Sequence, residues 1–119
     1  MRVYQRQIIE VPFNLHQGVQ NHPALILSAD DAIEMEGAFV AAMITSERHD
    51  DEFTFEISDA MLESGRVTKP YTEIRLHLIS YFKVSEVITN RHSNTKVKAT
   101  DFSRIIRRIV QITFAQKIA

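Results

Sequence analysis

The sequence predicts a mainly β fold, a compact, strongly bent antiparallel sheet or small barrel, with one C-terminal helix. Two observations predict it. From about Gln7 to Ile79 the chain is a series of short apolar runs bounded by polar turns, the pattern of neighbouring strands. After Asp101 the period changes: Phe102, Ile105, Ile106, Ile109 and Thr113 fall on one stripe, with Arg104, Arg107, Arg108 and Gln111 opposite. At 119 residues, with no internal repeat or linker, the expected organisation is a single domain over 1–119.

The elements follow in order. Gln7–Phe13 reads as a first strand with Ile9, Val11 and Phe13 on one face, and Pro12 places it at an edge, a bulge or a strand end. Asn14 to Asn21 reads as a polar loop. His22-Pro-Ala-Leu-Ile-Leu-Ser28 and Gly37-Ala-Phe-Val-Ala-Ala-Met-Ile-Thr45-Ser46 read as two neighbouring buried strands, separated by a polar turn with four acids. Glu47–Glu52 is a charged, solvated turn. His49 there has no second histidine at helical or hairpin spacing, so it does not read as a metal ligand. Phe53, Phe55 and Ile57 alternate inward. Ser58-Asp59 caps a short turn of helix ended by Gly65. In the strand from Tyr71 to Ser80, Ile74, Leu76 and Leu78 share one face, while Arg75 and His77 project together from the other. Asn90–Asn94 reads as a polar loop with a solvated His92. The closing helix runs near Asp101–Gln116, with Thr100 or Asp101 as its N-cap.

Composition narrows the function classes. There are no cysteines, so disulfide and thiolate chemistry are excluded. The N-terminus lacks the apolar core of a signal peptide, and the run from Ala38 to Ile44 is too short to span a bilayer, so the expectation is a soluble cytoplasmic protein with no membrane partner. Charge is uneven: residues 1–64 carry three basic and twelve acidic side chains, a formal −9, and residues 65–119 carry eleven basic and three acidic, a formal +8. This suggests either a basic face for an anionic partner or halves that pair with each other. No phosphate-binding glycine loop, dinucleotide fingerprint, nucleophile elbow or His-Glu-x-x-His motif is present.

If the two buried strands are antiparallel neighbours, the start of one lies beside the end of the other. His22 and the hydroxyls of Thr45 and Ser46 then share one rim, with the Asn14–Asn21 loop over it.

The ordered set of a strand ending Pro-Phe, a Gly-containing polar loop, His22-Pro-Ala-Leu-Ile-Leu-Ser, Met-Ile-Thr45-Ser46, Lys-Pro-Tyr-Thr-Glu-Ile-Arg75-Leu-His77 and an amphipathic helix resembles the MazF/PemK family of toxins, from about Gln7 to Phe114. The resemblance implies an SH3-like antiparallel β-barrel, a homodimer, and a metal-independent endoribonuclease without cofactor. It also implies a cognate antitoxin whose acidic, disordered segment lies over the groove. Family members usually have Arg where this chain has His22. Thr45 keeps the family's hydroxyl position, Arg75 matches a basic position, and His77 stands where some members have an acid. Two alternatives come with the resemblance: a toxin that poisons DNA gyrase, and a catalytically inactive binding protein.

Metal-free cleavage of single-stranded RNA needs a base for the 2′-hydroxyl, an acid for the leaving 5′-oxygen and a cation for the phosphoryl oxygens. Histidines suit base and acid work because they titrate near neutrality. The expected catalytic set is therefore His22, Thr45, Arg75 and His77, with Gln17, Gly18, Asn21 and Ser46 as substrate contacts and no metal ligands.

Overall fold

The structure, a computed structural model, describes residues 1–88 and 94–118. The Asn90–Asn94 loop and His92 therefore lie mostly outside the described residues. One five-stranded antiparallel sheet contains β1 (Ile8–Leu15), β2 (Gly18–Ile26), β3 (Ala38–Thr45), β4 (Thr54–Glu56) and β6 (Glu73–Lys83), in the order β1-β2-β3-β6-β4. A two-stranded sheet pairs β5 (Leu62–Ser64) with β7 (Lys96–Val97). Helix α1 (Asp30–Glu36) joins β2 to β3, and α2 (Ala99–Arg108) continues as a π-helical turn over Ile109–Thr113. The chain is thus mainly β with a C-terminal helix. Its ladders form an open sheet; no closed barrel is seen among the described residues.

The sheet is covered on both faces because apolar residues fill both parities of its strands. Ile9, Val11, Phe13, Ala24, Ile26, Phe39, Ala41 and Met43 form one core with Ile33 of α1. Ile8, Leu25, Ala42, Ile44, Ile74 and Leu76 form the other with Phe102, Ile105 and Ile109 of the C-terminal helix. The predicted helical stripe is the packed stripe, and Thr113 donates its hydroxyl to the Leu76 carbonyl at 2.6 Å. Helix α2 starts earlier than expected: Lys98 occupies the N-cap without a side-chain cap, and Asp101 pairs with Arg104 in the first turn at 3.0 Å.

Three further expectations are corrected. Asn14–Asn21 is not a loop over a site. A turn of His16 and Gln17 joins β1 and β2, Leu15 pairs with Gly18, and the ladder runs through Pro12–Asn21 to Ile8–Leu25. Polar composition hid a strand whose backbone is satisfied by its hairpin partner. The acidic turn is helix α1, closed by Gly37 at φ 64°, the left-handed conformation that favours glycine at a helix end. In β6, Ile74 and Leu76 face one core and Leu78 packs against the other. An irregularity lies between the Ala42–Ile79 and Ile44–Ile74 pairs, and the extra β6 residues reverse the face. Pro12 lies on edge strand β1, where its missing N–H costs the sheet least.

Candidate functional site

The β2–β3 ladder ends at Ala24–Met43. Beyond it, β2 pairs only with β1 as far as Gly18, and β3 pairs with β6 as far as Thr45–Glu73. Where the two strands part, a cleft of about 220 Å³ opens. His22, Thr45 and Ser46 all line it, as the antiparallel argument requires. Its other walls include Glu10, Arg66, Lys69, Thr72 and Thr95.

His22 is half-buried, with its ring edge-on to Phe13 at a centroid distance of 6.1 Å. The Thr45 hydroxyl oxygen accepts the Glu47 N–H at 3.1 Å, which leaves the hydroxyl proton available to a bound group. Ser46 reaches the cleft although alternation turns it from Thr45, because the strand ends between them. Arg66 and Lys69 arrive on the segment between β5 and β6; both are exposed, and neither makes an ion pair among the described residues. Reading the sequence missed them. Isolated basic residues in a loop carry no periodic signal, and only the fold shows what they face.

Arg75 lies elsewhere. It is 4% exposed and its guanidinium is engaged. Two parallel bonds run to Asp51, at 3.0 and 2.8 Å, with further bonds to Glu73 Oε2 at 2.9 Å and Thr54 Oγ1 at 2.9 Å. Glu73, fully buried, also accepts from the Tyr71 hydroxyl at 2.6 Å, Thr54 Oγ1 at 3.1 Å and the His49 N–H at 3.2 Å, and its Oε2 lies 3.0 Å from His49 Nδ1. Burial pushes the Glu73 carboxyl upward, but hydrogen bonds from Tyr71, Arg75, His49 and Thr54 outweigh it and hold the pKa below the usual range. Arg75 holds Asp51 well below that range too. Desolvation and the bond to Glu73 push Tyr71 up to about 12. Arg48 stacks on the Tyr71 ring, 3.9 Å from its centroid.

The expected catalytic set is therefore split. His77 is exposed, stacks on Phe53 at 4.4 Å and lies outside the cleft lining; burial, then the Arg75 charge, lowers its pKa. Gln17, Gly18 and Asn21 are exposed on the hairpin arm and do not line the cleft. His49, expected to be a solvated turn residue, is bound to Glu73 instead. Among the described residues no group of three or more acidic or imidazole side chains is placed to hold a metal ion. No described helix is long and apolar enough to cross a membrane.

Comparison with known proteins agrees with this fold. The chain superposes on MazF in the MazE–MazF structure from Deinococcus radiodurans with a TM-score of 0.67 and 12% identity, covering 97% of this chain and 98% of that one. It is similar to the Mycobacterium tuberculosis toxin MazF-mt6, with a TM-score of 0.68, 12% identity, and 95% and 100% coverage. An endoribonuclease in complex with its cognate antitoxin from a mycobacterial species gives a TM-score of 0.67 at 13% identity, covering 99% and 100%. No curated protein sequence matches this chain. The profile of the PemK-like, MazF-like toxins of type II toxin–antitoxin systems matches residues 4–113, nearly the whole chain, and the protein belongs to that family.

Proposed function

We propose that this toxin is an endoribonuclease that cuts single-stranded RNA at the β2–β3 cleft, by attack of the RNA's own 2′-hydroxyl and without a metal ion. One observation carries the reading: an imidazole, two hydroxyls and two exposed cations converge where the ladder parts. Thr45 donates its free hydroxyl proton to a phosphoryl oxygen, Arg66 and Lys69 meet the charge growing there, and His22 moves a proton. The attacking 2′-oxygen bonds to phosphorus as its proton leaves, and the 5′-oxygen departs with a proton. The ends formed are a 2′,3′-cyclic phosphate and a 5′-hydroxyl. In this reading Arg75 braces the strand ends, and Arg66 and Lys69 take the role first expected of it. The endoribonuclease among the similar structures supports the reaction class.

The same relatives support a cognate antitoxin as partner, since two were determined with one bound. An acidic, disordered antitoxin segment fits a cleft edged by Arg66 and Lys69. A single domain, a cytoplasmic site of action and a homodimer belong to the same proposal. So does an SH3-like barrel, which the isolated bridges Gln7–Lys96 and Glu10–Ile88 along β1 support.

One residue favours a second reading. His22 stands where the family usually has Arg, and a disabled site would leave a binding module or a gyrase-binding toxin. Long single-stranded RNA incubated with purified protein in EDTA separates them. Cleavage leaving cyclic-phosphate ends, lost in Thr45→Ala and His22→Ala, is the expected result. Inert wild type with an active His22→Arg would establish the binding module, and inert protein that captures gyrase would establish the poison.

A further inference from the structure

A second imidazole is bound to Glu73, the register partner of the cleft residue Thr45. His49 follows the end of β3, and its side chain is 32% exposed while Glu73 beneath it is fully buried. The carboxylate grips it twice, through Nδ1 at 3.0 Å and the backbone N–H at 3.2 Å. A carboxylate only accepts, so Nδ1 carries the proton and Nε2 is the free nitrogen. An imidazole so fixed by a buried carboxylate has the orientation of a general base.

The sheet sets where this pair lies. Thr45 and Glu73 are register partners, so they share a face. Ala24 pairs with Met43, and His22 and Thr45 each lie two residues further along their strands, on that same face. His22, Thr45 and Glu73 thus cross three neighbouring strands in order, and Thr45 stands between His22 and the residue that holds His49. Thr45 and Glu73 are one ladder spacing apart, about 5 Å, and the cleft opens between Thr45 and His22 where β2 and β3 part.

We propose that His49, held by Glu73, is the general base of the cleavage reaction and that His22 is the acid. The inference rests on the ribonuclease reading above. Nε2 of His49 takes the 2′-hydroxyl proton as that oxygen bonds to phosphorus. Protonated His22 gives its proton to the 5′-oxygen as the phosphorus–oxygen bond breaks. Each proton taken at one side is matched by one given at the other. Glu73 is a positioning residue that acts through His49. The charged and titratable groups around His49 are Glu73 and Arg75 of β6, Asp51 of its own segment, Tyr71 with Arg48 stacked on it, and His77, whose titration His49 influences.

The test is the pH–rate profile of RNA cleavage by the full chain, in EDTA, for wild type, His49→Ala, His49→Gln and Glu73→Gln, with thermal melts of each. The expected result is a loss of roughly 10²–10⁴-fold in kcat for both His49 variants, little change in KM, and loss of the acidic limb that reports the base. Added imidazole should restore part of the His49→Ala rate, which a purely structural role would not allow. Glu73→Gln should lower kcat through the lost orientation of His49, with KM little changed. Cleavage by folded His49→Ala within a few-fold of wild type, limb intact, overturns the proposal and leaves the ribonuclease reading standing. A loss that only tracks unfolding in both His49 variants, without imidazole rescue, makes His49 structural and also overturns it. Wild-type protein that leaves RNA uncut overturns both.

Discussion

Arg75 was the most conspicuous cation in the strand pattern, and its chemistry is decided by neighbours that no strand pattern displays. Alternation correctly puts it on the face opposite Ile74 and Leu76, but Asp51 arrives from a turn 24 residues away and closes a two-bond fork on it. A guanidinium satisfied by Asp51, Glu73 and Thr54 is a brace. Arg75→Ala should therefore act first on stability, removing about 3–5 kcal/mol by leaving buried Glu73 without its cation. Urea unfolding measures this; a variant as stable as wild type would return Arg75 to the phosphate. At Gly65, φ is 76° and an added Cβ would lie 2.8 Å from the Thr95 Cα and 2.5 Å from its hydroxyl oxygen. Gly65→Ala should destabilise by more than ~1 kcal/mol, read as a lower urea midpoint, since the positive φ strains a side chain and the new Cβ would press on Thr95. His22, Thr45 and Ser46 were legible because strand order alone brings them together. Arg66, Lys69 and His49 were not, because loop residues reach their places through tertiary contacts.

Among the elements, those with an uninterrupted period were read most accurately. The stripe Phe102, Ile105 and Ile109 packs on the sheet as its spacing requires, and Ile105, fully buried, is its centre. Ile105→Ala should cost about 2–5 kcal/mol in chemical denaturation, the range for a large-to-small change in a packed core. A cost below 1 kcal/mol would mean that the helix is loosely docked. The misread elements share a cause. The hairpin arm is polar because both its faces meet solvent toward the tip, so its strand character resides in backbone pairing alone. The face reversal in β6 comes from an irregularity against β3, and a period-two reading passes over it. Helix α1 did carry a signal, acids in its first turn and glycine after its last, but at seven residues it is shorter than an amphipathic period can reveal.

For the whole molecule, the charge asymmetry of the sequence becomes partly internal: Arg75 of the basic half is bound to Asp51 of the acidic half. This sets the acid limit of the fold. Asp51 and Glu73 have pKa values lowered by folding, so their stabilisation is present above the unfolded carboxylate range near pH 4 and is lost as pH falls through the folded values. His77, also lowered, binds its proton more readily in the unfolded chain, so its contribution begins to fall below about pH 6.5. Melting temperature should drop progressively from pH 7 to pH 3, and the carboxylate part of the fall should shrink in Glu73→Gln. Light scattering at high micromolar concentration should give the mass of two chains; a single-chain mass would remove the dimer from the proposal. Among the exposed cations, Arg66 and Lys69 line the cleft, and Arg104 and Arg107 lie on helix α2. The measurement that bears most directly on the central claim is an NMR titration of the chain with a single-stranded RNA oligonucleotide carrying 2′-deoxy sugars, which binds but lacks the attacking hydroxyl. The account predicts that resonances of His22, Thr45, Ser46, Arg66 and Lys69 shift together and saturate together, while those of Arg104 and Arg107 stay in place. Shifts concentrated on the α2 face, with the cleft residues unmoved, would contradict it.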